Sequence, residues 1–97
     1  MKKEFFNEIK ERMETLNHEQ VTYLLNIHGM YITNDIEKVP YIPDMTLEEW
    51  TLLRIVKTTY EKDYQTVFML IDLINQGLRF DKLEDFCESM NYEVIIR

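Results

Sequence analysis

The residues able to do acid–base or nucleophilic chemistry are few and stand apart in the sequence. The chain has one cysteine, Cys87, one serine, Ser89, and two histidines, His18 and His28. Nucleophilic catalysis needs a Ser, Cys or Thr beside a base that a third group orients. Ser89 follows no glycine elbow, and Cys87 falls on the apolar side of a predicted helix, where a thiol is an inert packing residue. We therefore expect no catalytic residue and no enzymatic activity.

Metal and cofactor sites are not indicated either. The two histidines are ten residues apart, without the HxxxH or HExxH spacing that places two imidazoles on one helix face. We interpret His28 as a helix-end residue favoured by the C-terminal dipole. No second soft ligand accompanies Cys87, and the two glycines form no phosphate-binding loop. The sequence therefore predicts no metal ligand and no cofactor.

Direct binding to nucleic acid is disfavoured by charge. The formal net charge is −7, from 18 acidic and 11 basic side chains, whereas DNA affinity depends on cations that neutralise phosphates. The segments on either side of Asp63 have the spacing of a helix-turn-helix. The second of them, however, reads Val-Phe-Met-Leu-Ile-Asp-Leu-Ile and must be buried rather than face a groove. We expect no direct nucleic-acid binding.

The most informative polar pattern is a stripe of acids on the last predicted helix. Asp81, Glu84, Asp85 and Glu88 fall at i, i+3, i+4 and i+7 and so share one side of the helix, which we call the acidic face. Acids are also favoured at N-caps and in first helical turns, and Asp81 with Glu84 has the spacing of a capping box. Glu88 is the one member that no cap explains. The acidic face is therefore either a solvated helix face or a surface for a basic partner.

A second candidate contact is the loop between Pro40 and Pro43. Each proline disfavours α conformation in the residue before it, so this loop is predicted to be extended. Tyr41 and Ile42 could pack over the helices or contact a partner. As a PxxP ligand for an SH3-type groove the loop is a weak match, since only Lys38 adds a flanking cation.

Five predicted helices position these residues. Periodic apolar residues, capping residues and glycines delimit them, at Lys2–Thr15, at His18–His28, after Thr46, at Tyr64–Gln76 and between Asp81 and Asn91. The fourth is apolar nearly all round, which predicts a central helix buried by its neighbours. Met30–Thr33 could pair with Tyr92–Ile96 as a short two-stranded edge. The predicted fold is all-α or nearly so, one compact five-helix domain over residues 1–97.

Local signals sharpen these helix ends. Two capping boxes begin the second and third helices, namely Asn17 with Gln20 and Thr46 with Glu49. Asp63 is a candidate cap for the fourth helix, and Gly29 and Gly77 are placed to end the second and fourth. The inner face of the third helix is predicted to comprise Trp50, Leu53, Val56 and Tyr60.

The compartment is predicted to be the cytoplasm. No apolar run reaches the roughly 18 residues that span a bilayer, and charged residues interrupt the N-terminal segment where a signal peptide would be apolar. A single cysteine agrees with a reducing environment. We expect no membrane association, and a homodimer through the first helix is compatible with the pattern.

The sequence thus favours a protein that acts by binding another protein. Alanine is absent and Ile, Asn, Lys and Glu are frequent, a bias typical of AT-rich genomes and of phages and mobile elements. The leading hypothesis is a phage-type inhibitor that presents the acidic face to a basic surface of a host nucleic-acid enzyme or defence nuclease. The alternative is a helical interaction or dimerisation module of a bacterial regulatory complex. Salt separates the two, because only charge-driven binding weakens steeply with ionic strength.

Overall fold

The structure, a computed structural model, describes residues 2–33, 39–40 and 42–95. It contains five α-helices: α1 Lys2–Met13, α2 His18–Ile27, α3 Leu47–Thr58, α4 Tyr64–Asn75 and α5 Phe80–Ser89. A π-helical turn, His28–Ile32, continues α2, and a 3₁₀ turn, Glu61–Asp63, precedes α4. The all-α, five-helix fold class is confirmed, and the predicted helix ends at Thr15, His28 and Gln76 are each one or two residues too long.

Four of the helices pack as a ring, and the fifth lies outside it. In the ring, α1 contacts α3 and α4, and α2 contacts the same two helices. α5 packs across α2 and α4, which places these two helices together at the centre. The apolar side chains of α4 that are buried there are Val67, Leu70, Ile71 and Ile74.

The helix starts follow the predicted caps in two cases out of four. Both capping boxes, at Asn17 and at Thr46, form as predicted. The Asp63 side chain makes no cap hydrogen bond; it accepts instead from the Tyr92 hydroxyl at 2.5 Å. The predicted box at Asp81 and Glu84 is wrong, because α5 begins at Phe80 with Arg79 as its N-cap residue and no side-chain cap.

The two glycines have different roles. Gly77 ends α4 as predicted, with φ of 97° and the paired bonds Leu78 N–H to Leu73 O and Gly77 N–H to Ile74 O, a Schellman motif. Gly29 does not end α2, since it lies within the π-helical turn. A Cβ at position 29 would lie 2.8 Å from Arg54 Nη2, so a glycine there allows the guanidinium to approach.

The predicted two-stranded edge does not form among the described residues. Met30–Ile32 belongs to the π-helical turn, because this conformation encloses Tyr31 and Ile32, which are only 3% and 8% exposed. The two segments do approach each other, as the Ile95 N–H donates to Met30 O at 2.7 Å. Ile96 lies outside the described residues.

The inner face of α3 differs from the prediction. The helix buries Thr51, Arg54, Ile55, Val56 and Thr58. Trp50 and Leu53 are only half-buried, and Tyr60 is 62% exposed. The buried threonines are satisfied within the helix, since Thr51 donates to Leu47 O at 2.7 Å and Thr58 to Arg54 O at 2.6 Å. Val56 is thus buried as predicted, whereas Leu53 lies at the edge of the core.

Candidate protein-binding surface

The two candidate nucleophiles are both engaged within α5. Cys87 is fully buried, as predicted, and burial, with the nearby charges of Glu84 and Glu88, raises the pKa of its thiol to about 12. A thiol in this state is almost wholly protonated at neutral pH and is a poor nucleophile. The Ser89 hydroxyl donates to the carbonyl of Phe86 at 2.6 Å. Among the described residues, neither side chain is hydrogen-bonded to a histidine.

His28 is a core residue at the junction between α2 and the π-helical turn. Its ring is fully buried, with Nε2 at 2.8 Å from Thr59 Oγ1, and Nδ1 has no hydrogen-bond partner. Burial, together with the charge of Arg54, lowers the pKa of His28 to about 3, so the imidazole is neutral at physiological pH. His28 is the C-cap residue of α2, so its predicted position at the helix end is confirmed. The predicted interaction with the dipole is wrong, because the ring packs inward and is neutral.

Arg54 is a buried charged residue that the sequence did not predict. It is 4% exposed, and its guanidinium carbon lies 5.6 Å from the centre of the Trp50 ring. The indole N–H of Trp50 donates to Val39 O at 3.0 Å, which ties α3 to the loop before it. The nearest sequence signal was Gly29, whose missing side chain leaves room for Arg54. The close approach of Arg54 to Gly29 holds α3 against the π-helical turn.

Acidic side chains are scattered rather than gathered into a metal site. Within residues 2–33, 39–40 and 42–95, no three His, Cys, Asp or Glu side chains are arranged to hold a metal ion. In the same residues, no helix is long and apolar enough to cross a membrane.

Three members of the acidic face project into solvent. Asp81, Asp85 and Glu88 are exposed, and Glu84 is half-buried. The one cation in α5, Lys82, lies 3.9 Å from Asp85, with both side chains about two-thirds exposed, a geometry that contributes little energy. Asp81 and Glu88 form no ion pair among the described residues. The spacing in the sequence thus identified the outward acids correctly.

Glu84 has a structural role that the sequence did not predict. Its carboxylate accepts a long hydrogen bond from the Tyr31 hydroxyl at 3.4 Å. Burial, and next the charges of Glu84 and Glu88, raise the pKa of Tyr31 to about 12. Glu84 therefore connects α5 to the π-helical turn, and it is less available to a partner than the other three acids.

Among the described residues, one acid of α1, Glu8, is paired within the chain, unlike Asp81 and Glu88 on α5. Glu8 lies 2.8 Å from Arg12, as the i,i+4 spacing predicts, and the same guanidinium binds Asp72 on α4 at 2.6 Å. This network raises the pKa of Arg12, chiefly through the hydrogen bond that Arg12 donates to Asp72. α5 carries four acids and one base, whereas α1 carries three acids and four bases, so α5, and not α1, has a net negative charge.

The loop candidate is described only in part. Ile42 is 54% exposed, and its carbonyl accepts from the Met45 N–H at 2.9 Å in the turn that leads to α3. Tyr41 lies outside the described residues. Ile42 is thus an exposed apolar side chain at the start of α3, on a different part of the fold from the acidic face.

Comparison with protein-family models, with curated proteins and with solved structures finds no match to this chain.

Proposed function

We propose that this chain is a non-enzymatic protein-binding protein that presents the acidic face of α5 to a basic surface of a nucleic-acid enzyme, in the manner of an inhibitor from a phage or mobile element. The single observation that carries the proposal is the outward charge of Asp81, Asp85 and Glu88, of which only Asp85 lies near a cation, Lys82. The compositional bias supports the phage-type origin.

Helix punctuation accounts for only one of these three charges. Asp81 lies in the first turn of α5, where the helix dipole favours acids, whereas Asp85 and Glu88 lie beyond it. The pairs Asp81 with Asp85 and Glu84 with Glu88 stand at i,i+4, where like charges each destabilise a helix by about 0.2–0.5 kcal/mol. Both pairs are present in α5 although they weaken the helix. The negative field that they create attracts a basic surface.

The density of charge favours a local patch over a mimic of duplex DNA. The stripe spans eight residues, from Asp81 to Glu88, or about 10 Å of helix. Duplex DNA carries about one charge per 1.7 Å, or roughly six over the same length. Four carboxylates, one of them bound to Tyr31, fall short of that number. We therefore propose that the partner's basic surface is contacted by this face together with neighbouring groups.

The test is quantitative affinity capture from a lysate of the source cells with two matched variants. Asp85→Lys/Glu88→Lys reverses the exposed charges of α5, and Glu4→Lys/Glu11→Lys makes the same charge change on α1. Proteins that bind at about 50 mM salt and elute at about 500 mM are identified by mass spectrometry. We expect wild type and the α1 variant to capture a nucleic-acid enzyme that the α5 variant does not capture. Capture that both variants retain would contradict the proposal.

A further inference from the structure

A groove runs between α1 and α3 on the side of the ring away from α5. It consists of two adjoining hollows of about 250 Å³ and 350 Å³, which share Lys10, Glu49 and Leu52. Its apolar lining comes from both helices, from the turn after α1 and from the turn before α3, through Phe6, Met13, Leu16, Met45, Leu52 and Leu53. The two helices run antiparallel here, since Lys2 at the start of α1 reaches the carbonyl of Lys57 near the end of α3.

The orientation of α3 creates this groove. The helix turns Thr51, Arg54 and Thr58 inward and leaves Leu52 and Leu53 half-buried at its edge. Burying threonine while a neighbouring leucine stays partly in water is unfavourable for a helix that acts alone. Another surface that covered Leu52 and Leu53 would offset this cost.

The fold itself shows what kind of element covers such a groove. On the opposite side of the ring, the groove between α2 and α4 is covered by α5, a ten-residue amphipathic helix with Leu83 and Cys87 inward. Among the described residues, no helix lies in the corresponding position over α1 and α3. Along α1 the lining runs from Phe6 to Met13, about 10 Å or roughly two turns of helix, and Leu16 continues it beyond the helix end.

Charge around the groove specifies its occupant further. Glu14, Glu48 and Glu49 lie at the hollow beside Leu16, whereas Lys10 is the one cation in the lining. Glu49 is ionised, because hydrogen bonds from Thr46 lower its pKa. The groove therefore has an acidic end and an apolar end, which is complementary to a helix with apolar anchors and basic residues at one terminus.

We propose that the groove between α1 and α3 binds a short amphipathic helix of a partner protein, with Lys or Arg at the terminus that meets Glu14 and Glu48. A second copy of this chain fits less well, because each copy carries a net charge of −7 and an acidic groove end. This docking surface is separate from the acidic face and does not depend on it.

The test uses an mRNA-display library of 16-residue peptides selected on the immobilised protein. We expect the enriched peptides to carry apolar residues at i, i+3, i+4 and i+7 with Lys or Arg near one end. In fluorescence titrations, replacing their apolar residues by Ser, or their basic residues by Glu, should weaken binding at least about tenfold. The peptide changes leave the fold of the protein untouched.

Two variants with the same charge change locate the site. Glu14→Lys/Glu48→Lys alters exposed residues at the groove and should weaken the selected peptides about tenfold or more. Asp85→Lys/Glu88→Lys should leave their affinity unchanged. Circular dichroism and thermal unfolding confirm that each variant is folded.

Three outcomes would overturn the inference. The first is enrichment of peptides without helical spacing or without basic ends. The second is equal peptide affinity for wild type and Glu14→Lys/Glu48→Lys. The third is sedimentation of the wild type as a dimer whose interface is this groove. Each is distinct from failure of the acidic-face proposal, which depends on the α5 variant in the lysate experiment.

Discussion

The pH dependence of folding stability gives a stringent test of the structure around His28. The ring is fully enclosed, and its pKa is lowered to about 3 by burial and by the charge of Arg54. In the unfolded chain the pKa returns to about 6.5. Below about pH 6.5, His28 binds a proton in the unfolded state but stays neutral in the folded state. The stabilising effect of the neutral ring is therefore complete only above pH 6.5. It is lost progressively as the pH falls towards 3.

The expected magnitude follows from these two values. One pKa unit corresponds to about 1.36 kcal/mol, and pH 5 lies about 1.5 units below the pKa of the unfolded histidine. His28 alone should therefore lower the free energy of unfolding by about 2 kcal/mol between pH 7 and pH 5. That is a substantial part of the roughly 5–15 kcal/mol typical of a domain.

Urea denaturation at pH 7 and pH 5 measures this contribution in wild type and in His28→Gln. Glutamine does not titrate and can still hydrogen-bond to Thr59, and carboxylates common to both proteins cancel in the difference. We expect wild type to lose about 2 kcal/mol more than the variant. Equal losses in wild type and His28→Gln would refute the buried neutral imidazole.

The remaining predictions concern the core. Replacing the fully buried Ile71 by Ala should cost about 2–5 kcal/mol of unfolding free energy, and a loss below about 1 kcal/mol would remove α4 from the core. The Cys87 thiol, with its pKa raised to about 12, should react slowly with a thiol reagent at pH 8 and quickly in denaturant; fast labelling of the folded protein would contradict its enclosure. Tyr92→Phe should cost about 1.5–3 kcal/mol, because the buried Asp63 loses a charge-assisted hydrogen bond. The exposed Tyr60→Phe should cost less than about 0.5 kcal/mol, and similar losses in both would argue against the Tyr92–Asp63 bond.

Features that depend on a few neighbouring residues could be predicted from the sequence. The capping boxes at Asn17 and Thr46 and the helix end at Gly77 are local hydrogen-bond patterns, and they form as predicted. The central position of α4 follows from its apolar composition. The outward placement of Asp85 and Glu88 follows from helical periodicity alone.

Features that depend on tertiary packing could not be predicted. α5 begins at Phe80 rather than after Asp81, because the Phe80 ring packs beside Tyr23 at 6.3 Å between ring centres. The inward rotation of Arg54 has no local signature, since an arginine in an amphipathic helix is ordinarily assigned to its outer face. The π-helical turn was missed because Met30–Ile32 is as apolar as a strand. The hydrogen bond from Tyr31 to Glu84 was therefore not predicted either. This bond distinguishes Glu84 from the other acids of the acidic face.

The central claim is that the acidic face of α5 associates with a basic partner. Its most direct measurement is the association rate constant of the captured partner at about 50, 150 and 500 mM salt, for wild type and for Asp85→Lys/Glu88→Lys. We predict a rate for wild type that falls steeply with salt. For the variant we predict a rate about tenfold or more lower at 50 mM, a flatter salt dependence and a smaller change in dissociation. An association rate and salt dependence equal to those of wild type, in a folded variant, would contradict the claim.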